Sequence, residues 1–234
     1  ALGDLSAGTD VAAGGSLMLR KPSGSYGLTI NEEITIAGAG NFGALRNDTG
    51  VNTITSQLKL SGDATIYADG GGSKRSLQLA AVGDGSAHAL TVEAESGAYV
   101  FFTGGYDLGG GRLVKKGAGI LELSSAGSID GSAQGDGVAI EILGGRVVAR
   151  HAQALGNGVV KVGSATLAGT LDIAVSTNLP GVLRLDKGLV SGVDLIAQSY
   201  DLRSGTVSAS LGTPSGPNPV ALSKTSTGTV LLSG

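Results

Sequence analysis

Short stretches in which apolar and polar residues alternate recur along the whole chain. A period of two residues predicts a β-strand with one buried face and one exposed face. Clusters of Gly, Asn, Asp and Ser, which favour turns, separate these stretches, and we also interpret the one short helical candidate, RHAQALG at 150–156, as a turn. We therefore predict an all-β chain. The alternating stretches are SLMLR (16–20), EITIAG (33–38), QLKLSG (57–62), ATIYA (64–68), SLQLAAV (76–82), ALTVEA (89–94), AIEIL (139–143), GVVKVG (158–163) and GVLRLD (181–186).

Internal repeats distinguish between the two kinds of all-β fold, antiparallel sandwiches or barrels and parallel β-solenoids. LVKKGAGILELSS at 113–125 matches LSKTSTGTVLLSG at 222–234 in five aligned positions, and ALGDLSAGTDVAAGGSLML at 1–19 is similar to ALGNGVVKVGSATLAGTLDI at 154–173. Such repeats favour the solenoid, because each of its coils meets the same geometric demands. We predict one elongated right-handed parallel β-helix over residues 1–234, with about 11 to 12 coils if each takes about 20 residues.

The repeated string predicts a place in the coil for each of its residues. Lys115 is expected at a solvated corner, and Gly119 at a turn that a side chain would obstruct. Strand alternation places Leu121 and Leu123 inward, on either side of outward Glu122. The same arrangement is expected at the aligned residues of the second copy, so we interpret the repeat as architecture rather than as a site.

Composition limits both the core and the classes of function. Gly contributes 42 residues but Pro only 5, and apolar residues reach 41%, too many for a disordered linker. Aromatic residues make up only 3%, which favours a narrow aliphatic core, and the lack of Cys excludes disulfides and thiolate metal sites. A net charge of −3 without a long basic run predicts no nucleic-acid partner, and no apolar stretch approaches the roughly 20 residues that span a bilayer.

Several segments resemble the autotransporter-associated β-strand repeats, also called passenger-associated transport repeats. The resemblance lies in the two copies at 113–125 and 222–234, in the ALGD and ALGN openings, in residues 40–71 and in YDLRSGTVSASLG at 200–212. It implies a right-handed parallel β-helix in the exported passenger region of a bacterial surface or secreted protein, often an adhesin or a fibre stalk. It implies no active site and no cofactor. The membrane-barrel segments of a whole autotransporter are not recognisable in this sequence.

Three motifs that could carry chemistry have simpler interpretations. GAGNFG at 38–43 fits a dinucleotide-binding pattern but is followed by ALRNDTGVNT, which predicts no helix, so a glycine-lined corner is favoured. His88 and His151 are the only histidines and lie in turn-rich segments, so no metal site is predicted. The glycosylation pattern at Asn47 also has the composition of a turn.

The segment YVFFTGGY at 99–106 gathers half of the aromatic residues. Rings on the outside of a β-helix could stack on a sugar, and Tyr99, Tyr106 and the carboxylate of Asp107 are the candidate carbohydrate contacts. The alternative is a local plug of the core. Because Phe101 and Phe102 are consecutive in a strand, they point to opposite faces, and at least one of them is expected to be buried.

Catalysis is tested by the distribution of carboxylates, since many polysaccharide-cleaving enzymes are also parallel β-helices. The acidic residues are scattered and mostly lie beside Gly, which is typical of turns. A cleavage site would require Glu93, Glu95 and Asp69 to converge in a cleft with Lys74 or Arg75. We predict no catalytic residues and no enzyme.

The expected function is that of a rigid structural or adhesive shaft outside a bacterial cell, and the alternative is a polysaccharide-binding or polysaccharide-cleaving protein. Neighbouring coils or copies stacked end to end are the expected partners, together with a surface receptor or glycan. Because neither end of the sequence contains a polar capping helix, we expect coils to continue on both sides or copies to stack.

Overall fold

A computed structural model describes residues 7–21, 23–71, 75–214 and 220–233. Every strand pairing within these residues is parallel. The one helical element described is a 3-10 turn at Ser132–Gln134, and none of the described residues form a helix long and apolar enough to cross a bilayer. The strands are β1 (Thr9–Val11), β2 (Leu17–Arg20), β3 (Thr29–Ile30), β4 (Ile34–Gly38), β5 (Leu45–Thr49), β6 (Val51–Ala68), β7 (Arg75–Val82), β8 (Ala89–Ala94), β9 (Ala98–Phe102), β10 (Tyr106–Gly109), β11 (Arg112–Lys116), β12 (Ile120–Leu123), β13 (Gly127–Ile129), β14 (Val138–Ile142), β15 (Arg146–Ala149), β16 (Val159–Val162), β17 (Gly169–Ile173), β18 (Thr177–Leu185), β19 (Gly188–Gly192), β20 (Asp194–Leu202), β21 (Gly205–Val207), β22 (Ser210–Gly212), β23 (Ala221–Ser223) and β24 (Val230–Leu232).

The strands form three parallel stacks along one axis, which makes the fold a β-solenoid. The first stack contains β1, β4, β10, β13 and β22, the second contains β2, β5, β8, β11, β14, β16 and β23, and the third contains β3, β7, β9, β12, β15, β17, β19, β21 and β24. The long strands β6, β7, β18 and β20 turn a corner and contribute to more than one stack. The predicted fold class is therefore confirmed.

The predicted coil number is too high. The solenoid makes about nine turns, because a coil takes between 16 residues (Asp194 to Ser210) and 29 residues (Arg20 to Thr49). The corner segments, such as the one between β13 and β14, are longer than a uniform coil of 20 residues allows. With coils about 4.8 Å apart, nine turns give a stack about 43 Å high.

A single narrow core runs through the coils. In β8, Leu90, Val92 and Ala94 are fully buried while the residues between them are partly exposed, as the alternation predicts. The buried cluster continues from Val11 to Ala209 and consists mainly of Leu, Val, Ile and Ala. Each inward side chain thus packs on the equivalent residues of the coils above and below it, and the core grows in length without growing in width.

The two copies of the repeated string occupy equivalent places in the coil. Each begins on a strand of the second stack, β11 or β23, and ends on a strand of the third stack, β12 or β24. At the corner between the stacks, a Cβ atom on Gly119 would lie 2.4 Å from the carbonyl oxygen of Glu95 and 2.6 Å from that of Ala98. The close approach of the preceding coil therefore requires glycine here, as predicted. Leu121 and Leu123 are fully buried, also as predicted.

Lys115 is not at a solvated corner, and that prediction was wrong. The residue is fully buried, on an inward position of β11 between Val92 and Ile142 of the adjacent coils. Its Nζ donates hydrogen bonds to the carbonyl oxygens of Lys116, Gly117 (2.9 Å) and Gly144 (3.4 Å). The long side chain folds back to the corner carbonyls and reaches those of the next coil, so this lysine joins two coils from within.

Candidate functional site

The candidate site lies on the outer face of the third stack, around β9. Val100 and Phe102 of this strand are fully buried, whereas Tyr99 is 42% exposed and Phe101 is partly exposed. The prediction that Phe101 and Phe102 face opposite ways is confirmed. Phe102 is the plug of the core, and Phe101 joins Tyr99 on the outside.

Two rows of outward residues run across the coils at this face. Tyr99 lies in register between Ser76 of β7 and Ile120 of β12, and Phe101 lies between Gln78 and Glu122. Neighbouring strands of a sheet are about 4.8 Å apart, so side chains of one row are close enough to share a ligand.

The two exposed rings stack on each other. The ring centroids of Tyr99 and Phe101 are 5.9 Å apart and their planes differ by 8°. Since one face of each ring is directed toward the other, the opposite faces are left for a ligand. Beside Tyr99 lies a groove of about 340 Å³ that is lined by Val51, Arg75, Ser76, Gln78, Gly97, Tyr99 and Phe101.

The polar groups of this groove differ in how they are engaged. The guanidinium of Arg75 pairs with Asp69 at 3.2 Å and donates to the carbonyl oxygen of Asp48. Among the described residues, by contrast, the hydroxyl of Ser76 and the amide of Gln78 have no hydrogen-bond partner. The groove therefore combines an aromatic face with free neutral hydrogen-bonding groups and a cation whose charge is already balanced.

Tyr106 is not a surface residue, so its predicted role in a carbohydrate site was wrong. It is 3% exposed, its ring packs edge-on against Phe102 at 5.7 Å, and its hydroxyl donates a 2.6 Å hydrogen bond to the carbonyl oxygen of Ala154. Burial raises the pKa of the Tyr106 hydroxyl well above its usual range. A tyrosine side chain suits either the buried or the exposed face of an alternating strand. The register of β10 directs the side chain of Tyr106 to the buried face.

Asp107 is exposed but lies on the first stack, not beside Tyr99 on the third. Its carboxylate accepts a hydrogen bond from the backbone N–H of Gly109 at 3.0 Å, which is a turn-stabilising contact. Of the three predicted carbohydrate contacts, only Tyr99 lines the groove.

A second exposed aromatic cluster was not predicted from the sequence. The guanidinium carbon of Arg46 lies 5.2 Å from the ring centroid of Phe42 and 5.7 Å from that of Tyr67, and the two rings are 5.7 Å apart. Phe42 is 58% exposed and has a positive φ of 63° within the GAGNFG turn. The outward position of Tyr67 in ATIYA is the one signal of this cluster in the sequence.

Asp69 pairs with Arg46 at 3.9 Å and with Arg75 at 3.2 Å, so an ion network crosses the corner between the two aromatic clusters.

The carboxylates named for catalysis lie at this corner. Asp69 pairs with Arg75, and Glu93 lies beside Tyr67 on the following coil. The backbone N–H of Glu95 donates to the carbonyl oxygen of Ala68, which places Glu95 next along the same corner. None of the three lines the groove at Tyr99 or a second groove of about 310 Å³ at the last described turn. Lys74 lies outside the described residues.

The remaining motifs have structural roles. GAGNFG is followed by strand β5 rather than by a helix, so no helix N-terminus faces the glycines. The imidazole of His88 is 3.9 Å from Asp63, while Nδ1 of His151 accepts a hydrogen bond from the backbone N–H of Gln153, two residues further along the chain. The side chain of Asn47 is fully buried, which makes it inaccessible to glycosylation. Within the described ranges, no group of three or more His, Asp or Glu side chains could hold a metal ion.

Charged side chains outside this corner pair with one another across coils. Asp186 accepts Lys161 at 3.7 Å and Arg203 at 3.3 Å, and Asp201 accepts Arg203 at 3.0 Å and Arg184 at 3.2 Å. Burial by itself would raise the pKa of Asp201, but hydrogen bonds and the charges of Arg203 and Arg184 lower it. These ladders tie neighbouring coils together.

Comparison of the chain with family models, with curated proteins and with solved structures finds no significant match.

Proposed function

We propose that this chain is a rigid, non-catalytic spacer in the shaft of an exported bacterial surface or fibre-like protein. Its partners are further coils of the same kind, whether in one chain or in copies stacked end to end. The observation that carries the proposal is the core, which is one cluster of interlocked aliphatic side chains from Val11 to Ala209. Because coils cannot slide or rotate without breaking that packing and the strand hydrogen bonds, such a stack resists bending.

The use of charge supports the same conclusion. Three basic side chains pair with carboxylates of neighbouring coils, namely Lys161, Arg184 and Arg203. A fourth, Lys115, donates hydrogen bonds to corner carbonyl oxygens inside the core. A catalytic cleft would instead bring carboxylates and a base to one open surface. The acids at 69, 93 and 95 line neither groove, so cleavage of a polysaccharide is the less supported alternative.

The last described turn exposes inward positions that the preceding coils keep buried. Leu222 and Leu232 lie on inward positions of their stacks but are 53% and 57% exposed, whereas Leu19 in the first turn is 2% exposed.

Surface labelling combined with a cleavage assay tests the proposal. An antibody against the segment should label intact cells of the source organism, and protease treatment of those cells should remove the label. The purified chain should release no reducing ends from neutral or acidic polysaccharides. A strictly intracellular location would overturn the exported role, and release of reducing ends that tracks with the purified chain would overturn the non-catalytic role.

A further inference from the structure

We propose that the groove beside Tyr99 is a binding site for a neutral hexopyranose glycan. This goes beyond the spacer role, which would stand if the inference failed. The starting point is that two aromatic rings, Tyr99 and Phe101, are held outside a solenoid whose other large aromatic side chains in this segment, Phe102 and Tyr106, are buried. Two exposed rings lack the hydrophobic stabilisation that burial in the core would give them. Exposed apolar patches of this kind usually mark an interaction site.

The shape of the groove suits a flat ring. The ring of Phe101 lies beside the Tyr99 ring in a nearly parallel plane, and Gly97, two residues before Tyr99, has no side chain. Within the described residues, a Cβ atom on Gly97 would have only the carbonyl oxygen of Gly70 within 4 Å, at 3.2 Å. The C–H groups of a pyranose carry a small positive charge and pack on the negative face of an aromatic ring.

The chemistry of the groove favours a neutral polyhydroxyl ligand over a charged one. Its cation, Arg75, is held by Asp69 and by the carbonyl oxygen of Asp48, and Glu122 beside Phe101 is held by Arg150 at 2.8 Å. An anionic or cationic ligand would have to compete with these pairs. The groups that have no partner among the described residues are the Ser76 hydroxyl and the Gln78 amide. Both can donate and accept, which is what sugar hydroxyls require.

The register of the strands also sets the direction of a bound chain. Val51, Ser76, Tyr99 and Ile120 occupy one row on four successive strands. A glycan along this row would lie parallel to the solenoid axis and meet a new side chain about every 4.8 Å. The ring of Tyr99 and the hydroxyl of Ser76, a groove-lining residue that is only 9% exposed, would then contact neighbouring sugar units, with Gln78 reaching in from the second row.

Calorimetric titration and amide chemical shifts of the full chain test the inference. Cellohexaose and β-1,4-mannohexaose are the neutral probes, and hexagalacturonate is the charged one. At least one neutral probe should bind and shift the amide signals of Gly97 and Gln78. Tyr99→Ala should weaken that binding on the order of tenfold, equivalent to about 1.4 kcal/mol, and Gln78→Ala should weaken it severalfold. Tyr99→Phe, which keeps the ring, should retain most of the affinity.

Phe42→Ala is the matched control, because it removes an exposed ring from the other side of the corner and should leave the affinity unchanged. Failure of both neutral probes to bind at millimolar concentration would overturn the inference. So would tighter binding of hexagalacturonate, or equal affinity of Tyr99→Ala and the unaltered chain when both have the same β-sheet circular dichroism and the same thermal stability. Sedimentation of the unaltered chain and of Tyr99→Ala is the last measurement. Self-association that disappears in the variant would mean that the groove beside Tyr99 is a contact between copies of the chain instead of a glycan site.

Discussion

Replacement of Lys115 by methionine removes the one lysine that the described core contains. Methionine has a similar length and fills the same space, but it carries no charge and cannot donate to the corner carbonyls. In the unaltered chain, burial lowers the pKa of Lys115 from its ordinary value of 10.5 to about 8, while the charges of Glu93 and Glu95 act in the opposite direction. The stability of the fold should therefore depend on pH through this single side chain.

The size and sign of that dependence follow from the two pKa values. Below pH 8 the lysine is charged in the folded and the unfolded chain, so its effect on the free energy of unfolding is constant. Between about 8 and 10.5 the folded chain has released the proton and the unfolded chain still holds it, so stability rises with pH by up to about 1.4 kcal/mol per unit. From pH 7.5 to 9.5 the free energy of unfolding should increase by about 2 kcal/mol.

Denaturant unfolding of the unaltered chain, Lys115→Met and Lys116→Met at pH 7.5 and 9.5 measures this difference. Lys116→Met is the control, because it removes a lysine from the exposed neighbouring position and keeps the buried one. The unaltered chain and Lys116→Met should gain stability over this range relative to Lys115→Met, whose pH profile should lack the increase. Parallel profiles for all three proteins would refute the reasoning, since they would mean that Lys115 is as well solvated when folded as when unfolded.

Five further substitutions test the positions of individual side chains through the free energy of unfolding. Gly119→Val places a branched side chain against carbonyl oxygens of the preceding coil and should cost about 2–3 kcal/mol. Glu122→Ala removes a partly buried carboxylate that pairs with the exposed Arg150 and should cost about 1 kcal/mol, so equal losses would mean that the corner is misplaced. Tyr106→Phe removes the donor to a buried carbonyl oxygen and should cost about 1–2 kcal/mol, and a neutral effect would place the hydroxyl in solvent. Phe102→Ala should cost about 3–5 kcal/mol and Phe101→Ala about 1 kcal/mol or less, and the reverse order would show that the faces of β9 are exchanged.

The strands were predictable from the sequence because a period of two is a local property. In β8 and in β12, alternate residues are buried in the order that the pattern gives, and the faces of Phe101 and Phe102 follow from the same rule. The solenoid was predictable because similar sequence strings recur far apart in the chain, as expected when the corners of different coils have the same geometry. The number of coils was not, since it depends on corner segments whose lengths vary from coil to coil without a hydrophobic pattern to mark them.

The errors concern side chains with both an apolar and a polar part. Lys115 has a long aliphatic stem that fills core space while its amine reaches backbone oxygens, and Tyr106 has a ring that packs on Phe102 while its hydroxyl reaches a carbonyl. Both contacts are made with residues that are adjacent only after the coils have stacked. A sequence read one strand at a time does not contain that information, and for the same reason it does not contain the cluster of Phe42, Arg46 and Tyr67.

The separation of core and surface along each strand explains how a spacer can also carry a binding site. Inward residues such as Val100 are fixed by the coils on both sides, so they are not free to change. Outward residues such as Tyr99 contact the outward side chains of the adjacent coils but do not pack in the core. Replacing them therefore changes the free energy of unfolding little. A solenoid can therefore present different rows of side chains at different heights while its core stays the same. The groove at Tyr99 occupies only the coils around β7, β9 and β12, so a ligand bound there would attach to one level of the shaft and leave the stacking of the other coils unchanged.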